Sequence, residues 1–128
     1  MAKCPCGIGK LAGKYAKCCG RFHRGAATAS TPEQLMRSRY SAYALLAQQP
    51  QLTDYLLATW HPSTRPQVLA SDDNPHWLQL QLVEHWQRGE QGYVHFRAFF
   101  DNGGDVDMLE ERSQFVFEDQ RWWYVDAI

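Results

Sequence analysis

All four cysteines of the chain lie within its first 19 residues, as the pairs Cys4/Cys6 and Cys18/Cys19. The segment around them is rich in glycine and lysine and has almost no periodic apolar pattern. Such a segment cannot bury enough apolar surface to fold unaided, so it needs a covalent or metal link. Clustered thiols in a chain without a secretory signal are typical of a metal site. Because zinc prefers four tetrahedral ligands and accepts cysteine, the sequence predicts a zinc-binding head.

The spacing of the cysteines leaves alternatives open. Adjacent cysteines such as Cys18 and Cys19 can bind one ion together only with a particular backbone geometry, and His23 is an alternative ligand that would replace Cys19. Another metal such as copper(I), or thiol chemistry without a metal, is a further interpretation. The stretch from Gly7 to Lys14 looks like a phosphate-binding loop, but its glycines and lysines do not have the required spacing.

The string CPCGIGKLAGKYAKCCGRFH resembles the SEC-C motif, found at the C-terminus of the SecA translocase motor and in many other bacterial proteins. That motif reads Cys-Pro-Cys-Gly-Ser-Gly-Lys, then a tyrosine, then Cys followed by His or Cys. This chain departs from it by Ile8 in place of the serine and by a few extra loop residues near Leu11-Ala12-Gly13. The resemblance implies that zinc is the cofactor. It implies as its ligands Cys4, Cys6, Cys18 and Cys19.

The charges divide the chain into two parts. The first 30 residues contain six cations and no acidic residue. These cations are Lys3, Lys10, Lys14, Lys17, Arg21 and Arg24. The remainder is acidic, since the whole chain of 128 residues has a net charge of −1. A basic head could offset the charge of a thiolate site or face an anionic surface.

Helical signals begin at Thr31, which is a good N-cap, followed by Pro32 at the first helical position and Gln34 where a capping box has Glu or Gln. Apolar residues then recur every three or four positions as far as Leu46. A second, shorter helix is predicted from Leu52, and the His-Pro step at residues 61–62 ends it.

After Trp77 apolar residues recur at every second position, a pattern that is typical of strands. Short turns separate a strand after Trp77, one around residues 94–100, one at about 105–118 and one at about 121–127. Helices followed by an antiparallel meander predict an α+β fold, with the helices packed on one face of a curved sheet.

The strings LMRSRYSAY, DYLLATWHPSTRP, EERSQFVF and RWWYVDA resemble the YchJ family of uncharacterised bacterial proteins. The resemblance implies a SEC-C motif followed by a domain similar to nuclear transport factor two, a cystatin-like cone of helices and curved sheet that can enclose a pocket. Residues 25–30 are small and featureless and are typical of a linker. We therefore divide the chain into a zinc motif at 1–24, this linker, and the α+β domain at 31–128. We expect the two units to fold independently.

Several side chains of the α+β domain are candidates to line a pocket: Arg39, Tyr40, Trp60, His61, Glu84, His95 and Glu111. A histidine or glutamate in a pocket could act as a general base. The structural alternatives are an ion pair between Glu111 and Arg39, and a packing or C-cap role for His61. No linear motif resembles a catalytic signature, and four cysteines would leave zinc no open position for water. The sequence therefore favours binding over catalysis.

The expected function is that of a cytoplasmic adapter, whose basic zinc knuckle contacts a protein or ribosomal surface. In SecA the similar motif is associated with contacts to the chaperone SecB and to ribosomes. Nucleic-acid binding is less favoured, because only Tyr15 and Phe22 offer aromatic faces in the head. No apolar run is long enough to span a membrane. A homodimer through the sheet remains open, and the alternative function is a small-molecule-binding or enzymatic domain.

Overall fold

The computed structural model describes residues 3–7, 14–69 and 73–128. The helical elements are a 3₁₀ turn at Tyr15–Lys17, α1 (Cys19–His23), α2 (Pro32–Leu45) and α3 (Leu52–Ala58). The strands are β1 (His76–Arg88), β2 (Gln91–Asn102), β3 (Asp105–Glu118) and β4 (Arg121–Ala127). Ile8, the extra loop residues 11–13 and most of the phosphate-loop-like stretch lie outside the described residues. Within the described ranges, no helix has the length and apolarity needed to cross a bilayer.

The start of α2 forms as its capping residues predict. The Thr31 side chain accepts a hydrogen bond from the backbone N–H of Gln34, and Pro32 occupies the first turn. The Gln34 side chain reaches one residue further back than a capping box requires, because its Oε1 accepts from the backbone N–H of Ser30 at 3.0 Å. These bonds satisfy donors that a helix N-terminus would otherwise leave without partners.

The four strands form one antiparallel sheet in the order β1-β2-β3-β4, so the predicted α+β meander is confirmed. The bounds of β3 and β4 agree with those predicted, while β1 and β2 are longer than the alternation alone suggested. Gly92 on β2 lets the start of α2 approach the sheet closely. A Cβ at that position would overlap Pro32 Cγ and lie 3.1 Å from Trp122.

Helix α2 is the centre of the molecule. Eight of its residues are buried, because the helix packs against the sheet and also against α1 and α3. One buried cluster joins the cysteines of the head to α2 and to the inner face of the sheet. Its larger apolar members are Phe22, Leu35, Met36, Tyr40, Leu80, Val94, Phe96, Phe115 and Trp122.

Two register shifts in β1 change which side chains face the helices. They fall between Trp77 and Gln79 and between Leu82 and Glu84. After the second shift His85 lies on the helix side, where its Nε2 is 3.2 Å from Glu33 Oε1. Glu84 pairs with His95 on the outer face and is exposed. The prediction that Glu84 lines a pocket is therefore wrong, since each bulge exchanges the two faces of a strand and the second one turns Glu84 outward.

Candidate metal centre

The four cysteine sulfurs converge on one point. All four Sγ atoms lie within 4.8 Å of one another, and all four residues are buried. The Sγ atoms of Cys6 and Cys18 are 3.6 Å apart, and those of Cys18 and Cys19 are 4.0 Å apart. A Zn–S bond of about 2.3 Å implies tetrahedral S···S edges of about 3.8 Å. The cluster therefore has the donor atoms and the dimensions of a tetrahedral zinc–thiolate site.

Two local backbone features bring each cysteine pair together. The first is a turn in which the N–H of Gly7 donates to the carbonyl of Cys4 at 3.1 Å, with Gly7 at φ +57°, a conformation that glycine adopts readily. The second is Cys18, which lies between the 3₁₀ turn and α1. Its φ of −111° and ψ of −114° are neither helical nor extended. This bend is the particular geometry that lets the adjacent Cys18 and Cys19 face the same point.

The protonation of the thiols follows from their crowding. Hydrogen bonds from Cys19 and Cys6 strongly lower the pKa of Cys4. Hydrogen bonding to Cys4 in turn raises the pKa of Cys19, and burial raises the pKa of Cys18 to about 11. The crowding therefore favours the thiolate at Cys4 and the protonated thiol at Cys18 and Cys19. Binding of a divalent cation would displace those protons, since thiolates are the ligating form.

Arg37 of α2 contacts the cysteine cluster, although the sequence did not predict it as part of the site. Its Nη2 donates to the Sγ atoms of Cys6 and Cys18, each at 3.6 Å, and its Nη1 donates to Glu33 at 3.1 Å. Burial opposes the charge of this guanidinium, but the hydrogen bond to Cys6 leaves its pKa raised overall. A cation that donates to metal-binding thiolates stabilises their negative charge. No sequence signal marked this arginine, because only the packing of α2 against the head brings it there.

The same side of α2 contributes a second contact to the cluster. Ser41 is one helical turn after Arg37, and its Oγ lies 3.6 Å from Cys4 Sγ. Lysines were expected to soften the thiolate charge, but Lys3, Lys14 and Lys17 are exposed. Among the described side chains, Arg37 and Ser41 of α2 contact the sulfurs, whereas these three lysines point into solvent.

The structure places His23 outside the cysteine cluster. Its Nδ1 is hydrogen-bonded to the Tyr15 hydroxyl and its Nε2 to the backbone carbonyl of Ser38, at 2.7 Å. Burial lowers the pKa of His23, which favours a neutral ring that donates through Nε2 and accepts through Nδ1. His23 thus links the head to α2, and both of its ring nitrogens are engaged away from the sulfurs. The alternative in which His23 replaces Cys19 does not fit this geometry.

The connection between head and sheet domain is also packed. Residues 25–30 contain no helix or strand, as expected of a connecting segment. However, the backbone N–H groups of Ala26 and Ala27 both donate to Arg21, and Ala29 is buried in the shared core. The bounds of the head, the linker and the sheet domain stay a prediction. Because the segment between them is packed into the shared core, we now expect the head and the sheet domain to unfold together rather than independently.

Four of the predicted pocket residues line a common cavity of about 320 Å³ between α2 and the inner face of the sheet: Arg39, Tyr40, Trp60 and Glu111. The other three lie elsewhere. Glu84 is on the outer face, as described above. His95 is buried on the same outer face, with its Nε2 2.7 Å from Glu110 Oε2. His61 contacts Glu118 at 2.8 Å and packs edge-on against Trp123.

Two structural alternatives from the sequence are also corrected. Among the described residues, the ion pairs do not include one between Glu111 and Arg39. Glu111 instead accepts hydrogen bonds from Ser113 and from the Tyr124 hydroxyl. The C-cap of α3 is Thr59 rather than His61, because the helix ends before the histidine is reached.

Comparison with known proteins agrees with the architecture. The family model described as YchJ, middle NTF2-like domain, matches residues 31–127. A UPF0225 protein of Chromobacterium violaceum is 45% identical over 134 residues, which cover 99% of this chain and 93% of the relative. The solution structure of a SEC-C motif containing protein from Rhodopseudomonas palustris has a TM-score of 0.82 and 34% identity, covering 99% of this chain and 98% of that one. A crystal structure of a SEC-C motif containing protein from Psychrobacter arcticus has a TM-score of 0.79 and 25% identity, covering 98% of this chain and 81% of that one.

Proposed function

The chain belongs to the YchJ family of UPF0225 proteins, and from this premise we propose that its cysteine cluster holds one zinc ion and that the resulting basic head docks an acidic protein or ribosomal surface. The ligands are Cys4, Cys6, Cys18 and Cys19. With four thiolates the coordination sphere is closed, so the ion has a structural role. The protein acts in this proposal as a cytoplasmic adapter, in a compartment where thiols remain reduced.

The metal part of the proposal is supported by the fit of the four sulfurs and by the way α2 supports them. A structural zinc supplies folding free energy to a segment that has too little apolar surface of its own. Arg37 and Ser41 hold the sulfurs against α2. The ion would therefore stabilise both the shape of the head and its position on the rest of the protein.

The docking part rests on one observation, which is the free charge on the head. Lys3, Lys14, Lys17 and Arg24 are exposed. In the part of the chain that the structure describes, none of the ion pairs involves any of these four side chains. Exposed cations on a rigid support attract an anionic partner and speed its association, with strong dependence on salt.

Co-sedimentation with purified bacterial ribosomes tests the docking proposal. The variant Lys14→Gln/Lys17→Gln removes two charges from the head without changing a cysteine. We expect it to bind ribosomes about tenfold more weakly, and its affinity should depend less steeply on salt concentration. Arg88→Gln is the matched control, because it removes an exposed cation from β1, far along the chain from the head. Equal binding by all three proteins would refute the head as the docking surface. Equal binding to protein-free ribosomal RNA would assign the activity to nucleic acid instead.

Self-association through the sheet is a second proposal about partners. Leu78 and Val83 on β1 and Met108 on β3 are large apolar side chains that are between 42% and 47% exposed. A contiguous patch of exposed apolar side chains often marks a protein contact, and we propose that these three residues contribute to one. Sedimentation equilibrium of the wild type and of Met108→Lys tests this proposal, because a dimer that forms through this surface should dissociate in the variant. A monomeric wild-type protein would contradict it.

A further inference from the structure

The cavity between α2 and the sheet contains a cation that pairs with no carboxylate of residues 3–7, 14–69 or 73–128. Arg39 is 4% exposed, and its Nη1 donates to the carbonyl of Leu56 at 2.7 Å and to Thr59 Oγ1 at 2.6 Å. Both acceptors are neutral. Of the described carboxylates, none forms an ion pair with this guanidinium. A buried charge is costly unless it is paired, so an arginine in this state is a strong binding group for an anion.

The walls around the guanidinium are aromatic. Its central carbon lies 4.5 Å from the ring centroid of Tyr124 and 5.0 Å from that of Trp60. These cation–π contacts hold the group in place and offset part of the cost of burying it. Tyr40 and Trp77 line the same cavity. Flat aromatic walls favour a ligand with a flat, largely apolar body.

Trp60 supplies a second donor to the cavity. Its indole Nε1 is buried, and the described part of the chain offers it no hydrogen-bond acceptor. By contrast, the Nε1 of Trp77 donates to Asn74 Oδ1 at 2.9 Å. A buried donor without an acceptor costs free energy, which an acceptor on a ligand would recover. Arg39 and Trp60 therefore supply two donors for one acceptor-rich group.

Two carboxylates, Glu111 and Asp73, also line the cavity, and they set the polarity away from Arg39. The carboxylate of Glu111 accepts from Tyr124 and Ser113, and it lines the cavity from β3. A second negative charge on the ligand would be repelled there, whereas a hydroxyl group would find an acceptor. We infer that this cavity binds a small aromatic monocarboxylate, with the carboxylate on Arg39 and Trp60 and a hydroxyl group toward Glu111. This site is separate from the metal centre and does not depend on its proposed function.

An amide NMR titration of the full chain tests the inference, with 4-hydroxyphenylacetate as the probe. Its neutral amide, 4-hydroxyphenylacetamide, is the matched control for the carboxylate, and phenylacetate is the control for the hydroxyl. We expect saturable binding with a dissociation constant of about 1 mM or tighter for a ligand of this size. The amide should bind at least roughly tenfold more weakly, because it cannot form a charge-assisted pair with arginine. The indole N–H signal of Trp60 should move on binding.

Variants separate binding in the cavity from binding elsewhere. Trp60→Phe keeps an aromatic ring but removes the free donor, so it should weaken binding of the acid about three- to tenfold. Trp123→Phe is the matched control, because the Nε1 of Trp123 already donates to the carbonyl of Glu118. Folding of both variants is checked by their amide spectra. The inference is overturned if no saturable shift occurs up to about 10 mM, a concentration at which even weak specific sites fill. Equal affinity for acid and amide, or no effect of Trp60→Phe, would overturn it too.

Discussion

Removal of Arg37 should weaken zinc binding although this residue is not a ligand. Arg37→Gln deletes the guanidinium that donates to the Sγ atoms of Cys6 and Cys18. A site of four thiolates and one Zn²⁺ carries a net charge of −2, and this arginine is the cation that contacts it from α2. In its absence the same negative charge is buried with less compensation, so the ion should dissociate more readily.

The magnitude follows from the number of bonds lost. Each N–H···S contact is long, at 3.6 Å, so the pair should contribute about as much as one good hydrogen bond to a charged group, roughly 1.5–3 kcal/mol. That corresponds to a loss of about 10- to 100-fold in zinc affinity, the range typical of groups that support metal ligands. The ion pair of Arg37 with Glu33 is partly exposed and should contribute less than about 1 kcal/mol.

Competition with a chromophoric chelator at neutral pH measures the effect. Glu33→Gln is the matched control, because it removes a carboxylate that pairs with Arg37 and leaves both sulfur contacts in place. We expect it to change zinc affinity less than about threefold. Tryptophan fluorescence at saturating zinc verifies that both variants are folded. Wild-type zinc affinity in a folded Arg37→Gln variant would refute the stabilising role of this arginine.

Three further predictions concern the stability of the fold. Burial lowers the pKa of His23, so the unfolded chain binds the proton more tightly and stability should fall as the pH drops below about 6.5. The midpoint of urea unfolding measures this pH dependence, and it should vary less with pH in His23→Gln than in the wild type. An equally steep pH dependence in the variant would contradict a buried, neutral His23 ring. Gly92→Ala should destabilise the protein by about 1–3 kcal/mol in urea unfolding, because the added Cβ overlaps Pro32; a neutral effect would show that α2 does not pack this closely. Chelation of the metal should lower the melting temperature, followed by tryptophan fluorescence, by roughly 10 °C, because the head and the sheet share one core. An unchanged melting temperature would show that the head and the sheet domain unfold independently.

The secondary structure was largely predictable because its signals are local. Thr31 and Pro32 mark the start of α2, and the turns of the sheet are marked by glycine and polar residues. The faces of β1 were less predictable. Each register shift depends on how β1 pairs with β2, and this pairing moved Glu84 to the outside although the alternation of the sequence placed it inside.

The site was predictable only in part. The four cysteines are visible in the sequence, and the resemblance to a known motif suggested that they act together. The contribution of Arg37 and the link between His23 and Ser38 arise from contacts between residues 15 or more positions apart in the chain. Likewise, the sequence suggested a pair between Arg39 and Glu111, but a helix and a sheet can place two charges on one cavity without bringing them into contact.

X-ray absorption spectroscopy at the zinc edge, combined with the metal content of the reduced, purified protein, tests the metal centre most directly. We predict one zinc ion per chain with four sulfur neighbours at about 2.3 Å. A protein that contains no metal while residues 14–24 keep the structure described here would contradict the account. So would a zinc ion whose neighbours include nitrogen, because His23 would then have to leave Tyr15 and Ser38.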